Sequence, residues 1–270
     1  MISIIKNKAK NKKRFRRVAV GTFSALFWVA VWQCVYLAVG QEILVVSPAE
    51  VLRRLAELVC QWSFWLTVLL SMCRISKGFF LGVIFGSGAA VLTERFSLGN
   101  ALLRPFIGVV KATPVASFII LALIWMKTSQ VPVFASSLIV FPIVWANVSE
   151  GIRKTDRGLL QMAKLYRFGR LGTVRRVYLP SVLPYFTAAC TTGMGMAWKG
   201  GVAAEVLSSL SMSLGGEIYS AKIYLETVNL FSWTAVVIVL SVLLERVLLC
   251  AVRHAGRRYG FYFGEKDDGN

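Results

Sequence analysis

Apolar residues fall in six long runs separated by polar breaks, and these runs set the expected elements. Val18–Val39 is 22 residues without a charge, enough for a helix to cross a hydrocarbon core, which takes about 20 residues. A cleaved secretion signal also starts basic, but its apolar stretch is about 7–15 residues and closes on a small-residue site. Here the run is longer and ends VGQEIL, so a retained first span is expected. Gln41–Gln61 reads as an external segment with a short helix: Ser47 as N-cap, Pro48 at the first helical position, Glu50 three residues after the serine. Trp62–Val91 carries Arg74 and Lys77 and would reach about 45 Å as a helix, too long for an untilted span. Its first half is expected to be an amphipathic or kinked lead-in, and the glycine-rich FFLGVIFGSGAAV the close-packing half.

Thr93–Arg104 reads as a polar connection and Pro105–Met126 as the third span, with Pro114 in its middle and Lys111 near its start. A turn at Lys127–Val131 leads to the fourth span, Pro132–Ser149, and then to a basic insert over residues 150–180. Ser181–Leu207 is the fifth span, Ser208–Leu230 an external segment, Phe231–Val252 the sixth span and Arg253–Asn270 a polar tail. Six spans put both termini on one side of the membrane. That side, with the 1–17 tail and the insert, holds 22 Lys or Arg against 4 on the other, so the positive excess of cytoplasmic loops places the termini and the insert in the cytoplasm.

Composition agrees with a membrane class. The chain is 56% hydrophobic, with a mean hydropathy of +0.64 and 16% charged residues, against about 25% charged in soluble domains. A net charge of +18 would suggest nucleic acid in a soluble protein, but no basic stretch carries a base- or groove-reading motif. The five cysteines have no metal-type spacing and read as small hydrophobes rather than a disulfide or metal site. His254, among Arg253, Arg257 and Arg258, reads as a solvated tail residue. No HExxH, GxSxG or Walker A sequence occurs, and no internal repeat of the kind common in ion-driven transporters.

The stretch with the most shape is Gly158–Tyr185, GLLQMAKLYRFGRLGTVRRVYLPSVLPY. From Arg157 to Pro184 it holds six Lys or Arg and no acid. Arg157, Gln161 and Lys164 are spaced to share one outward face, leaving Leu159, Met162, Ala163 and Tyr166 to rest on protein. Gly169 and Gly172 allow a turn, and a second short helix over Thr173–Tyr178 is expected to stop before Pro180. Such an insert faces either a soluble partner or anionic lipid.

Aligned on Leu179-Pro180, the insert resembles the EAA loop of ABC importer permeases: Glu-Ala-Ala, three residues, Gly, nine residues, Ile, any residue, Leu-Pro. Ala163, Leu179 and Pro180 match and Val177 is conservative, while Gln161, Met162 and Arg167 stand where the family has Glu, Ala and Gly. RISKGFFLGVIFGSGAAV, RPFIGVVKATPVASFIILALIW, LPSVLPY and GMGMAWKGGVAAEVL are similar to successive segments of the nitrate/sulfonate/taurine branch, over about residues 47–252. The resemblance implies an all-α, six-span permease of the type I, MetI-like kind. It would be one domain over 1–270, with the 1–17 tail, the 18–39 span and a 62–252 core. It would work as a homodimer in the bilayer and bind no nucleic acid. A cytoplasmic ABC ATPase would dock at Gln161, Met162, Ala163, Arg167, Gly169, Val177, Leu179 and Pro180 and bind the ATP, the chain itself needing no cofactor or metal. An extracytoplasmic solute-binding protein would deliver a small solute, a sulfonate, nitrate or taurine, or alternatively a thiamine precursor. An ion-driven secondary transporter is the reading from another class.

Three ionisable residues, Lys111, Lys199 and Glu205, lie inside apolar spans, where charge is costly and marks function by default. Lys111 could snorkel to the cytoplasmic side. Lys199 fits a pore charge for an anion and Glu205 an outer gate or its partner. A buried structural pair fits them equally. Six residues separate the two, so they share no face of a straight helix unless Gly200-Gly201 breaks it.

Overall fold

The computed structural model describes residues 20, 22–24 and 26–258, with side chains through 251, and its regular elements there are all helices. The basic 1–17 segment therefore lies outside the described residues, as does most of the polar tail. In chain order the helices are α1 Thr22–Val39, α2 Pro48–Val59, α3 Trp62–Arg95, α4 Ser97–Ala112, α5 Val115–Trp125 and α6 Val131–Arg153, which follows one 3-10 turn at Thr128–Gln130. Then come α7 Arg157–Leu165, α8 Arg170–Thr173, a π-helical turn at Val174–Tyr178, α9 Leu179–Leu207, α10 Leu214–Ile223 and α11 Thr227–Arg258.

The expected cap of α2 is present, with Ser47 Oγ accepting the Glu50 N–H at 3.3 Å. The expected lead-in of α3 is not. Arg74 and Lys77 sit in one unbroken 34-residue helix, because no proline interrupts it and three of its glycines, Gly78, Gly82 and Gly86, lie on one face, where a neighbouring helix covers them. The polar connection expected at Thr93–Arg104 is also helical, interrupted only at Phe96. The third span is broken rather than straight: α4 and α5 meet at 104°. Pro114 forces Thr113 out of the helical region, to φ −82° and ψ 132°.

Helix α6 lies between α3 and α9. Gly78, Gly82 and Gly86 of α3 let the α6 backbone come close. A Cβ on Gly82 would stand 2.7 Å from Val140 Cβ, and one on Gly86 2.7 Å from Phe141 O. On the other side Ser136 Oγ donates to Ala197 O at 3.1 Å. Gly201, which in sequence could break α9, instead sits where a Cβ would be 2.6 Å from Ser136 Oγ and Ile75 Cγ1. Trp145 Nε1 donates to Thr93 Oγ1 and Trp198 Nε1 to Val237 O, tying α6 to α3 and α9 to α11. Outward faces carry large apolar side chains, among them Phe80, Ile84, Ile124 and Val247.

Among the described residues four helices are long and apolar enough to cross a membrane: α1, α3, α6 with its preceding turn, and α11. The bent α4–α5 pair makes a fifth if taken as one span. The remaining expected span, α9, is 29 residues long but is not apolar enough to be among them.

The glycine contacts yield a stability test. Gly82→Val pushes a side chain into Val140 and should cost about 2 kcal/mol or more, the usual size of core overpacking. Gly88→Ala, with open space where its Cβ would stand, should be near neutral. Thermal unfolding midpoints of the detergent-solubilised variants separate the two.

Candidate functional site

The insert starts at Asp156, whose Oδ1 accepts the Gly158 N–H at 2.7 Å and caps α7. Lys154, just before it, binds Glu150 at 3.0 Å. That hydrogen bond and charge hold the ammonium's pKa above its ordinary value. Helix α7 closes with a reverse turn in which Phe168 N–H reaches Ala163 O at 2.8 Å and Arg167 N–H reaches Lys164 O at 3.0 Å. This pair of bonds needs a left-handed residue between them, normally glycine. Arg167 fills the place with φ +51°. It is the residue aligned with the glycine of the EAA pattern, so the backbone keeps a conformation that the side chain disfavours.

Of the insert's pattern residues only Ala163 and Val177 are buried, at 2% and 6% exposure. The expectation that Leu159, Met162 and Tyr166 rest on the protein is not met. They are exposed together with Leu165, Leu171 and Val174, because α7 is short and only Ala163 reaches the turn beneath it. Asp156, Leu159, Gln161, Met162 and Leu165 line an open groove of about 570 Å³. Arg176 stacks over the Phe168 ring at 4.9 Å and ties the turn to the following segment.

The helix expected to stop before Pro180 does not stop. Residues 170–207 are helical throughout, with the π turn at Val174–Tyr178. There Leu179 N–H bonds Val174 O, five residues back. The widened turn makes room for Pro180 at the second position of α9, where its missing N–H and its ring are tolerated. Ser181 Oγ donates to Val177 O at 2.8 Å, supplying a donor near the one the proline lacks. Gly169, Leu179 and Pro180 are therefore parts of one helical run from the insert into the bundle.

Inside the membrane the structure separates the three charges singled out in sequence. Glu205 has no exposed surface. Its Oε2 accepts from Ser71 Oγ at 2.9 Å and from Gly215 N–H at 3.2 Å, while Oε1 is 3.8 Å from Arg74 Nη1. Arg74 also donates to Met212 O at 3.1 Å, and Ser71 Oγ accepts the Leu214 N–H at 2.9 Å. The carboxylate thus joins α9, α3 and the start of α10, where Gly215 leaves room for its Cβ. Lys199 is exposed on another face of α9, and no ion pair involves it among the described residues. Lys111 lies over the Trp145 ring at 5.4 Å. Sequence reasoning saw Arg74 only as an interruption in a span. The antiparallel register that sets it beside Glu205 is a tertiary fact, and Ser71 gave no signal at all.

A family model described as the binding-protein-dependent transport system inner membrane component matches residues 78–259. The chain is 26% identical over 206 residues to a putative aliphatic sulfonates transport permease of Bacillus subtilis, covering 76% of this chain and 74% of that one. It is 24% identical over 234 residues to the taurine transport system permease of Escherichia coli, covering 84% of each. To a bicarbonate transport system permease of Synechococcus elongatus it is 26% identical over 161 residues, covering 58% and 57%. In fold it is similar to a methionine ABC transporter in an inward-facing conformation, with a TM-score of 0.55 at 16% identity, covering 70% of this chain and 93% of that one.

Two stability outcomes follow from the geometry. Arg167→Gly should stabilise the solubilised protein by about 1 kcal/mol, the cost of a left-handed non-glycine residue. Glu205→Ala leaves Arg74 without its carboxylate and should cost about 3 kcal/mol, with part recovered in the Arg74→Ala, Glu205→Ala double variant. Unfolding midpoints measure both.

Proposed function

The chain belongs to the binding-protein-dependent transport system inner membrane component family, a family of permeases, and from that premise we propose how this one works. It forms the path of an ABC importer for a small anionic solute and is driven by an ATPase subunit docked on its cytoplasmic insert. The observation that carries the docking is the unpartnered apolar face of α7. Leu159, Met162 and Leu165 are 46%, 53% and 79% exposed, and Arg157, Lys164 and Arg170 frame them. Apolar patches left open and rimmed by charge mark interaction surfaces. Gln161 sits in this groove and can hydrogen-bond to the ATPase, but it cannot form the ion pair that the family's Glu would make. Arg167 adds a charge at its edge.

In this reading both termini and the insert are cytoplasmic, two copies enclose the path, and a solute-binding protein delivers from the outside. The ATPase binds the ATP, and the permease holds no cofactor. Closure of the ATPase pair displaces α7. Its turn, locked by the Ala163–Phe168 bond and the Arg176–Phe168 stack, passes the displacement to the helical run 170–207. Access then alternates because α9 moves as a body with α3 and α6. The anionic class rests on the relatives' substrates, sulfonates, taurine and bicarbonate.

Co-expression of the full chain with its ATPase subunit tests the docking surface. Wild type should co-purify with the ATPase, and Leu165→Glu or Met162→Glu should reduce the bound ATPase at least about ten-fold, the usual scale for losing an interface anchor. Undiminished co-purification of both variants sinks this surface. Loss of binding to phosphatidylglycerol vesicles, with the ATPase still bound, would instead make it a lipid contact.

A further inference from the structure

We infer that Lys199 is the charge that selects anions in the translocation path, a role that rests on the permease reading above and goes beyond it. The exposed face of α9 runs through Ala188, Thr192, Met196, Lys199, Ala203 and Leu207. Spaced three or four residues apart, these side chains form one stripe along the helix. Its composition differs from the other outward faces. Phe80 and Ile84 on α3, Ile120 and Ile124 on α5, and Val239 and Leu243 on α11 are large and apolar, as lipid requires. The α9 stripe sets a hydroxyl, two alanines and an ammonium beside Met196 and Leu207, and α9 is not among the helices apolar enough by composition to cross a membrane. A lysine at this depth on a lipid face would be expensive. Facing a water-filled path between two copies it is not.

The second half of the inference is electrostatic. A carboxylate six residues away on the same helix could cancel the lysine. The structure excludes that, because Glu205 is fully buried and committed to Ser71, Gly215 and Arg74. The positive charge of Lys199 is therefore uncompensated by its own helix, and a second copy of the chain contributes a second one. A solute carrying a carboxylate, sulfonate or oxyanion group gains from this field where a cation is repelled.

Water-soluble thiol reagents test this without knowing the solute. In a full-length chain freed of its own cysteines, in membrane vesicles, Met196→Cys and Ala203→Cys flank Lys199 by one helical turn on either side. Both should react with the anionic ethylsulfonate and the cationic trimethylammonium methanethiosulfonates, while Ile84→Cys on α3 should not. With Lys199 present the anionic reagent should be favoured about ten-fold relative to its ratio on a free thiol, the size of a unit charge a few ångströms away in a partly aqueous site. Lys199→Met should bring that ratio to parity, and Lys199→Arg should restore it. Unreactive cysteines at 196 and 203 would overturn the path assignment. A ratio unmoved by Lys199→Met would overturn the charge role. Neither outcome depends on the ATPase, so failure here is distinct from failure of the docking surface.

Discussion

The close approach of α3 to α6 is the contact on which the rest depends. Lipid tails are as apolar as leucine, so two helices in a bilayer gain little by covering apolar side chains and must instead bring their backbones together. Gly78, Gly82 and Gly86 do this along three turns, where any side chain would run into Val140, Val144 or the α6 backbone. Once that distance is fixed, Ser136 is carried to Ala197 and Gly201 to Ile75. The same register sets Ser71 and Arg74 level with Glu205. A buried carboxylate is tolerated there because two elements, α3 and α10, deliver its partners at once, and it is tolerated only while the glycine seam holds.

That rigidity gives the basic insert its consequence. A docked helix on a loose loop would move without moving anything else. Here α7 closes on a hydrogen-bonded turn, and the chain then stays helical from Arg170 to Leu207. The π turn at Val174–Tyr178 absorbs the Leu-Pro pair that would otherwise end the run. Push at the insert end and the far end of α9 must follow, with α10 attached through Glu205.

Much of this was legible in the chain, for reasons that differ by residue. Helix α2 was readable from Ser47, Pro48 and Glu50, because capping is local chemistry. The glycine seam was readable because small residues four apart have one use in lipid. The alignment puts Arg167 at a glycine position, and the residue there has a left-handed φ. The misreadings share a cause. Arg74 and Lys77 read locally as a break in α3, and Pro180 as a stop, because each is unfavourable in a helix. Their toleration comes from a carboxylate 131 positions away for Arg74 and from a widened turn for Pro180, neither of which a local window contains. Pro114 was the converse case, its local preference prevailing and bending a span by 104°.

The low apolarity of α9 follows from the same division of labour. A helix packed on α6 along one face and, in the proposed path, open to water along another has less need of lipid-facing bulk. Ala189, Gly193, Ala197 and Gly201 lie on its buried face, and its exposed face mixes Ala188, Thr192, Lys199 and Ala203 with Met196 and Leu207. Hydropathy alone therefore undercounts a helix of this kind. Of its two ionisable groups the structure buries and pairs one and leaves the other exposed. A paired Glu205 ties α9 to α3 and α10. In the proposed path an unpaired Lys199 is free to change partners, and a transported anion needs a site that it can leave.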